Sequence, residues 1–202
     1  MLSISDFKSK LKTFGGPVPV NRYIPNITFP SGVINSGDRI SERLQYMCQS
    51  CELPGRTVNM ADTSTRIYGP PRKIPYNTSF VDTTMQFMVS QDSMREKRAF
   101  DDWVNLIQDI DTFDMSYYDD LVGEVNIKVL NERNALIYEC ILFEAFPQNV
   151  SVVSLSMDGS TDFMKFTVTM AYRKWKKVDI DSRDVDDFES QIFDFNSFTP
   201  IA

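Results

Sequence analysis

The sequence predicts a mainly β fold, a barrel or sandwich of antiparallel strands closed by one amphipathic helix. Two observations predict it. Phe80–Ile110 changes its apolar period midway, from two to between three and four, as a strand running into a helix does. From Glu124 to Trp175, apolar runs follow one another between short turns, which is the order of consecutive antiparallel strands.

The strand–helix stretch organises the rest. Val81, Met85, Phe87 and Val89 share one face of the strand, and Asp82, Thr84, Gln86 and Ser90 the other. Ser93-Met94-Arg95-Glu96 matches a capping box, in which Ser93 and Glu96 bond each other's backbone amides. Beyond it Phe100, Trp103, Val104, Ile107 and Ile110 form one stripe, opposite Lys97, Asp101, Asp102, Asn105 and Asp109. Phe100, Trp103 and Ile107 are the expected core of this helix, each gaining about 1.5–3 kcal/mol if fully buried. Nothing on the helix looks catalytic.

Composition bounds the function. A chain of 202 residues is long for one domain and short for two. It contains no histidine, which excludes serine–histidine and cysteine–histidine catalysis and removes the commonest metal ligand. Of the net charge of −7, seven acids (Asp179, Asp181, Asp184, Asp186, Asp187, Glu189, Asp194) and one base, Arg183, put −6 after residue 177, leaving −1 for residues 1–177. Neither part has the basic stripe that gripping nucleic acid requires. Cys48-Gln49-Ser50-Cys51 ends a strand-like run rather than opening a helix, and no histidine completes a zinc set, so neither redox nor metal use is expected. No P-loop or dinucleotide motif occurs, so no cofactor is expected and the protein is not read as an enzyme. Without a signal peptide or a long apolar run, a soluble protein made in a cytoplasm and free of membrane is expected.

In chain order, Ser3–Phe14 reads as a short helix with a Ser3/Asp6 cap, an apolar side of Phe7, Leu11 and Phe14, and a stop at Gly15-Gly16; it needs a partner surface. Val20–Phe29 is a strand that Pro25 confines to an edge or a bulge. Pro30–Arg39 is a loop and Leu44–Ser50 the next strand. Residues 52–79 hold extended stretches broken by Leu53-Pro54-Gly55 and Gly69-Pro70-Pro71, with Ile67 and Tyr68 between. A connection this long without its own core is a floppy surface loop or an arm ordered by a partner. The acids of Asp111–Gly123 do not match a calcium loop and read as a solvated connection. Then come a strand over Glu124–Leu130, a turn at Asn131–Asn134, a strand over Ala135–Phe146, a turn at Phe146–Asn149, a strand over Val150–Met157, a turn at Asp158–Asp162, and a strand over Phe163–Trp175. Met164, Phe166, Val168, Met170 and Tyr172 share one face of the last, Lys165, Thr167, Thr169 and Arg173 the other. Residues 178–202 form an acidic tail carrying Phe188, Phe193, Phe195 and Phe198, too many for a purely solvating segment.

Several of these stretches together resemble the tail tube proteins of T-even-like contractile-tailed bacteriophages. They are Pro19-Val20-Asn21-Arg22-Tyr23 after a short helix, Leu44–Cys51 running into Glu52-Leu53-Pro54-Gly55, and Phe80–Gln91 followed by Phe100-Asp101-Asp102-Trp103. Phe146-Pro147-Gln148-Asn149-Val150 and the closing strand Phe166–Trp175 complete the set. The resemblance spans roughly residues 7–176 and leaves the acidic tail outside it. It implies a β-barrel domain over residues 1–177 with an outer helix, and hexameric rings stacked into a tube that conducts DNA during ejection. Sheath, baseplate and terminator proteins would be partners in the virion tail. A baseplate tube initiator or a secretion-system tube ring is the alternative. Asp82, Thr84, Gln86, Thr167 and Thr169 would face the lumen, with Lys165 a point against a purely acidic channel. Leu53, Pro54, Gly55, Ile67, Tyr68, Pro70 and Pro71 would belong to an arm that contacts the next ring.

Overall fold

The computed structural model describes residues 3–33, 39–62, 72–153, 155, 157 and 163–179. The elements are α1 (Ile4–Thr13), β1 (Tyr23–Thr28), α2 (Ile40–Met47), β2 (Cys48–Cys51), β3 (Gly55–Asp62), β4 (Lys73–Val81), β5 (Thr83–Met88), α3 (Arg95–Ile107) and α4 (Tyr118–Leu121). They are followed by β6 (Gly123–Leu130), β7 (Leu136–Val150), β8 (Lys165–Ala171) and β9 (Lys174–Val178). The fold is mainly antiparallel β. The chain divides into a larger unit, Pro25–Ile127 with Cys140–Lys177, and a smaller one, Met1–Ile24 with Lys128–Glu139 and Val178–Ala202.

In the larger unit the strands follow the order β1-β6-β7-β8-β5-β2, with β9 pairing β7, and β3 and β4 form a separate two-stranded sheet. Pro25, which has no amide hydrogen to donate, sits in β1 at the end of that order. The core lies on one face of the sheet. Met85 and Phe87 of β5 alternate inward, as do Phe166, Val168 and Met170 of β8, and Val125 and Ile127 of β6. Against them pack Phe100 and Trp103 of α3, both fully buried, in an aromatic cluster with Phe29, Phe87 and Phe166.

Two contacts set how closely α3 approaches the strands. The Trp103 indole donates to the Leu121 carbonyl at 2.8 Å, so its buried N–H is satisfied. Gly123 lies under the same ring: a Cβ there would stand 2.3 Å from the Thr28 carbonyl oxygen and 2.9 Å from the indole carbons. No side chain fits in that space.

A buried charge fixes the other end of α3. Glu96 is fully buried, and its carboxylate accepts from the Ser90 amide (3.1 Å) and the Ser90 hydroxyl (2.9 Å) while facing the Arg43 guanidinium at 3.4 Å. Arg43 also donates to Asp92 at 2.8 Å. One carboxylate thereby joins α2, the end of β5 and α3.

This arrangement corrects several expectations. The expected capping box does not form. Ser93 and Met94 both take left-handed backbone (φ 58° and 52°), Met94 is the residue preceding the helix, and Glu96 turns inward to Ser90. The helix stops at Ile107 instead of Ile110 because Gln108 turns extended and the Asp109 carboxylate accepts from the Asp111 and Thr112 amides. Ile107 is accordingly half-buried, and Ile110 is 71% exposed. The strand expected over Leu44–Ser50 is α2 followed by β2. Ile40 and Leu44 lie four apart and both bury, and the Ser41 hydroxyl bonds the Ile27 carbonyl. The strand expected from Phe80 breaks at Asp82: Val81 is exposed, while Thr83 takes the next buried position. Phe146–Asn149 is no turn. β7 runs through it, absorbing the extra residue as a register shift against β8, and the described residues between Ser151 and Met157 form no strand. The last strand divides at Tyr172-Arg173. The Asp111–Gly123 connection contains the single turn α4. The turn expected at Asp158–Asp162 lies outside the described residues.

In the smaller unit, α1 carries the expected reciprocal Ser3/Asp6 cap and leaves through Gly15 and Gly16, both at positive φ. The turn after β6 is held by the Asn131 side chain, which accepts from the Arg133 and Ala135 amides, with Asn134 at φ 62°.

Trp103→Ala is expected to cost about 3–5 kcal/mol in urea denaturation, with Gly123→Ala also destabilising. Arg43→Ala should cost about 3–5 kcal/mol because Glu96 is left buried and unpaired, and Arg43→Ala with Glu96→Leu should recover part of that loss.

Candidate functional site

The face of β5 and β8 turned away from the core is polar and almost uncharged. Antiparallel pairing sets Thr84 opposite Thr169, Gln86 opposite Thr167 and Met88 opposite Lys165. All six are half-buried. β2 extends the face by placing Ser50 opposite Gln86. Past β2, the Glu52 amide donates to the Thr84 carbonyl at 3.0 Å and the Thr84 amide donates to the Glu52 carboxylate at 3.2 Å. On the far edge, Ser151 and Thr167 exchange bonds of 2.8 Å, the Thr167 amide reaching the Ser151 hydroxyl and the Ser151 amide the Thr167 carbonyl. Thr84, Gln86, Thr167 and Thr169 thus stand together. Asp82 stands one residue outside β5 and is exposed. Glu52 and Ser151 belong to this surface and were not legible in the sequence, because no periodicity marks a residue that joins a sheet through its side chain.

Beyond Glu52 the chain becomes a ribbon. β3 and β4 pair from Gly55 opposite Val81 to Asp62 opposite Lys73, with a register shift after Asn59. Its base is held by Tyr172, whose hydroxyl donates to the Val81 carbonyl at 2.6 Å and whose ring lies 6.1 Å from that of Phe80. Apolar side chains are left on its surface: Val58, Met60, Ile74, Tyr76 and Val81 are exposed, as is Leu53 at its root. Pro54 and Gly55 are half-buried. Ile67, Tyr68, Pro70 and Pro71 lie outside the described residues.

A strained position lies in β7. Glu144 takes φ 54°, unusual for a residue with a side chain. Its carboxylate accepts from Arg173 at 2.7 Å, and the Arg173 amide donates to the Phe143 carbonyl. The guanidinium holds the Glu144 carboxyl below its ordinary value of 4.5. The thiol chemistry is unpromising: none of the three cysteines is in a disulfide, and burial pushes the Cys51 thiol far up, so it stays protonated.

Because the folded pKa of Glu144 is depressed, its contribution is present above pH 4.5 and is lost as pH falls through the lower folded value. The stability difference between the native chain and Glu144→Gln should therefore be flat near neutrality and shrink in acid, read by urea denaturation across pH.

Comparison with known proteins places this geometry. Over 76 residues, 38% of this chain, the sequence is 36% identical to the baseplate tail-tube junction protein gp54 of Enterobacteria phage T4. The match covers 23% of that protein's length. The fold resembles a chain of the anti-feeding prophage baseplate (TM-score 0.59, 15% identity, 80% of this chain and 95% of that one). It also resembles a chain of the sheath–tube complex of an extracellular contractile injection system (TM-score 0.54, 15% identity, 89% and 100%). Residues 18–178 match the family model described as phage tail tube protein, and the chain belongs to that family, a component of the virion tail.

Proposed function

We propose that this protein is a non-enzymatic structural subunit of a contractile phage tail tube, assembled in the host cytoplasm into stacked hexameric rings. Residues 1–177 would form the tube module, the β5–β8 polar face would line a lumen, and genomic DNA would pass through without specific binding. The sheath would surround the tube, and baseplate and terminator proteins would close its ends. The observation that carries the reading is that face: hydroxyls and an amide backed by a fully buried apolar layer. Non-specific affinity for DNA comes mainly from cations that displace counterions. A lining of Thr84, Gln86, Thr167 and Thr169 supplies none, and Lys165 contributes one cation per subunit on that face. The strand order ends at β1 and β2, whose outer edges among the described residues are suited to pairing with neighbouring copies. The apolar ribbon β3–β4, with Leu53, Pro54, Gly55, Ile67, Tyr68, Pro70 and Pro71, is proposed as the contact to the next ring.

A second reading is a junction protein that starts the tube at the baseplate. The identity to the T4 junction protein favours it, although this chain matches 23% of that protein's length.

Electron microscopy of the purified protein separates the readings. Long tubes are expected for the tube subunit and single rings for the junction protein; a dispersed monomer at high concentration would overturn both. In assembled tubes, Gln86→Lys with Thr167→Lys should raise DNA retention strongly at low salt and weakly at high salt. Unchanged retention would show that this face does not line the channel.

A further inference from the structure

The helix α1 is well specified and yet, among the described residues, it buries no side chain against the rest of the chain. Its cap is complete, its exit is set by two glycines at positive φ, and none of its residues is buried. Ile4, Phe7, Leu11 and Phe14 recur at three- and four-residue spacing and are all exposed, Phe14 by 82%. At about 3.6 residues per turn these four form one stripe, with Lys8 on one flank and Lys10 on the other. Isolated helices of this length are marginal in water, so the stripe requires a cover. The stripe leads into a groove formed by Phe14–Pro19 with Arg133 and Ile137. Asp6, Lys8, Lys10 and Lys12 give α1 a net positive charge.

We propose that the cover is the chain's own C-terminal segment, residues 180–202. It has the complementary chemistry. Asp181, Asp184, Asp186, Asp187, Glu189 and Asp194 oppose Arg183 alone, and Phe188, Ile192, Phe193, Phe195 and Phe198 supply apolar groups at short intervals. An acidic segment studded with phenylalanines fits an apolar stripe bordered by lysines: the rings cover Phe7 and Leu11 while the carboxylates meet Lys8 and Lys10. Fully extended, 23 residues span up to about 75 Å, several times the roughly 15 Å length of α1, so the segment can cover the whole stripe. Tethering in the same chain raises its effective concentration to the millimolar range, which favours this segment over a separate molecule.

Zero-length carbodiimide coupling of the full-length protein, read by mass spectrometry, tests this. It joins amines only to carboxylates in contact. The Lys97–Asp101 pair, 2.7 Å apart, is the internal positive control. The expected result is coupling of Lys8 or Lys10 to acids between Asp181 and Asp194. Coupling should fall roughly tenfold or more in Phe193→Ser with Phe195→Ser, since each ring would lose its buried site. Phe7→Ser with Leu11→Ser should reduce it likewise, with the Lys97–Asp101 product unchanged. Absence of α1–tail products while the control couples would overturn the proposal, as would products indifferent to both double substitutions. In a mixture of ¹⁴N- and ¹⁵N-labelled protein, links within one chain are expected; mixed-isotope links would mean that another copy is the occupant. None of these outcomes depends on ring formation.

Discussion

Gly123 lies where a helix, a strand and a backbone carbonyl meet with no room between them. The Trp103 ring covers its α-carbon, the Thr28 oxygen stands where a Cβ would go, and the indole N–H is tied to Leu121 two residues earlier. Any residue but glycine would push α3 off the sheet and open the aromatic cluster built on Phe29, Phe87, Phe100 and Phe166. Interiors are packed too tightly to absorb such a shift elsewhere. The position of α3, and with it the burial of one whole sheet face, follows from this contact.

The far end of α3 is held by charge instead of rings. Glu96 is fully buried: one carboxylate oxygen accepts from the Ser90 amide and hydroxyl, and the other stands 3.4 Å from the Arg43 guanidinium. A buried carboxylate is costly without a cation and hydrogen-bond donors beside it, so this contact favours one arrangement of α2, β5 and α3 over its alternatives. Between the two anchors the core needs nothing from the opposite face of β5 and β8. That face is therefore free to be polar and nearly uncharged, the property the tube reading uses.

The ribbon β3–β4 has the opposite balance. It is a two-stranded sheet with exposed Val58, Met60, Ile74 and Tyr76, and such a pair alone is marginally stable in water. Its root is secured by Glu52 on Thr84 and by Tyr172 on Val81. A limb anchored at its base and apolar along its length is suited to a partner. The proposed contact to the next ring uses this surface.

Periodicity determined the β class, the inward faces of β5 and β8 and the burial of Phe100 and Trp103, and cap and turn residues determined the Asn131 turn and the N-terminal helix. These follow from local alternation and local side-chain bonding to the backbone, which need no distant contact. The family was legible from the order of such stretches. Tertiary structure alone decided the rest. Whether Glu96 bonds Ser93 or Ser90 depends on Arg43, which lies some fifty residues away in sequence. Whether Phe146–Asn149 turns or runs on depends on β8. Whether Leu44–Ser50 begins as helix depends on what Ile40 and Leu44 can bury against. Short stretches hold several conformations of nearly equal energy, and distant contacts choose among them.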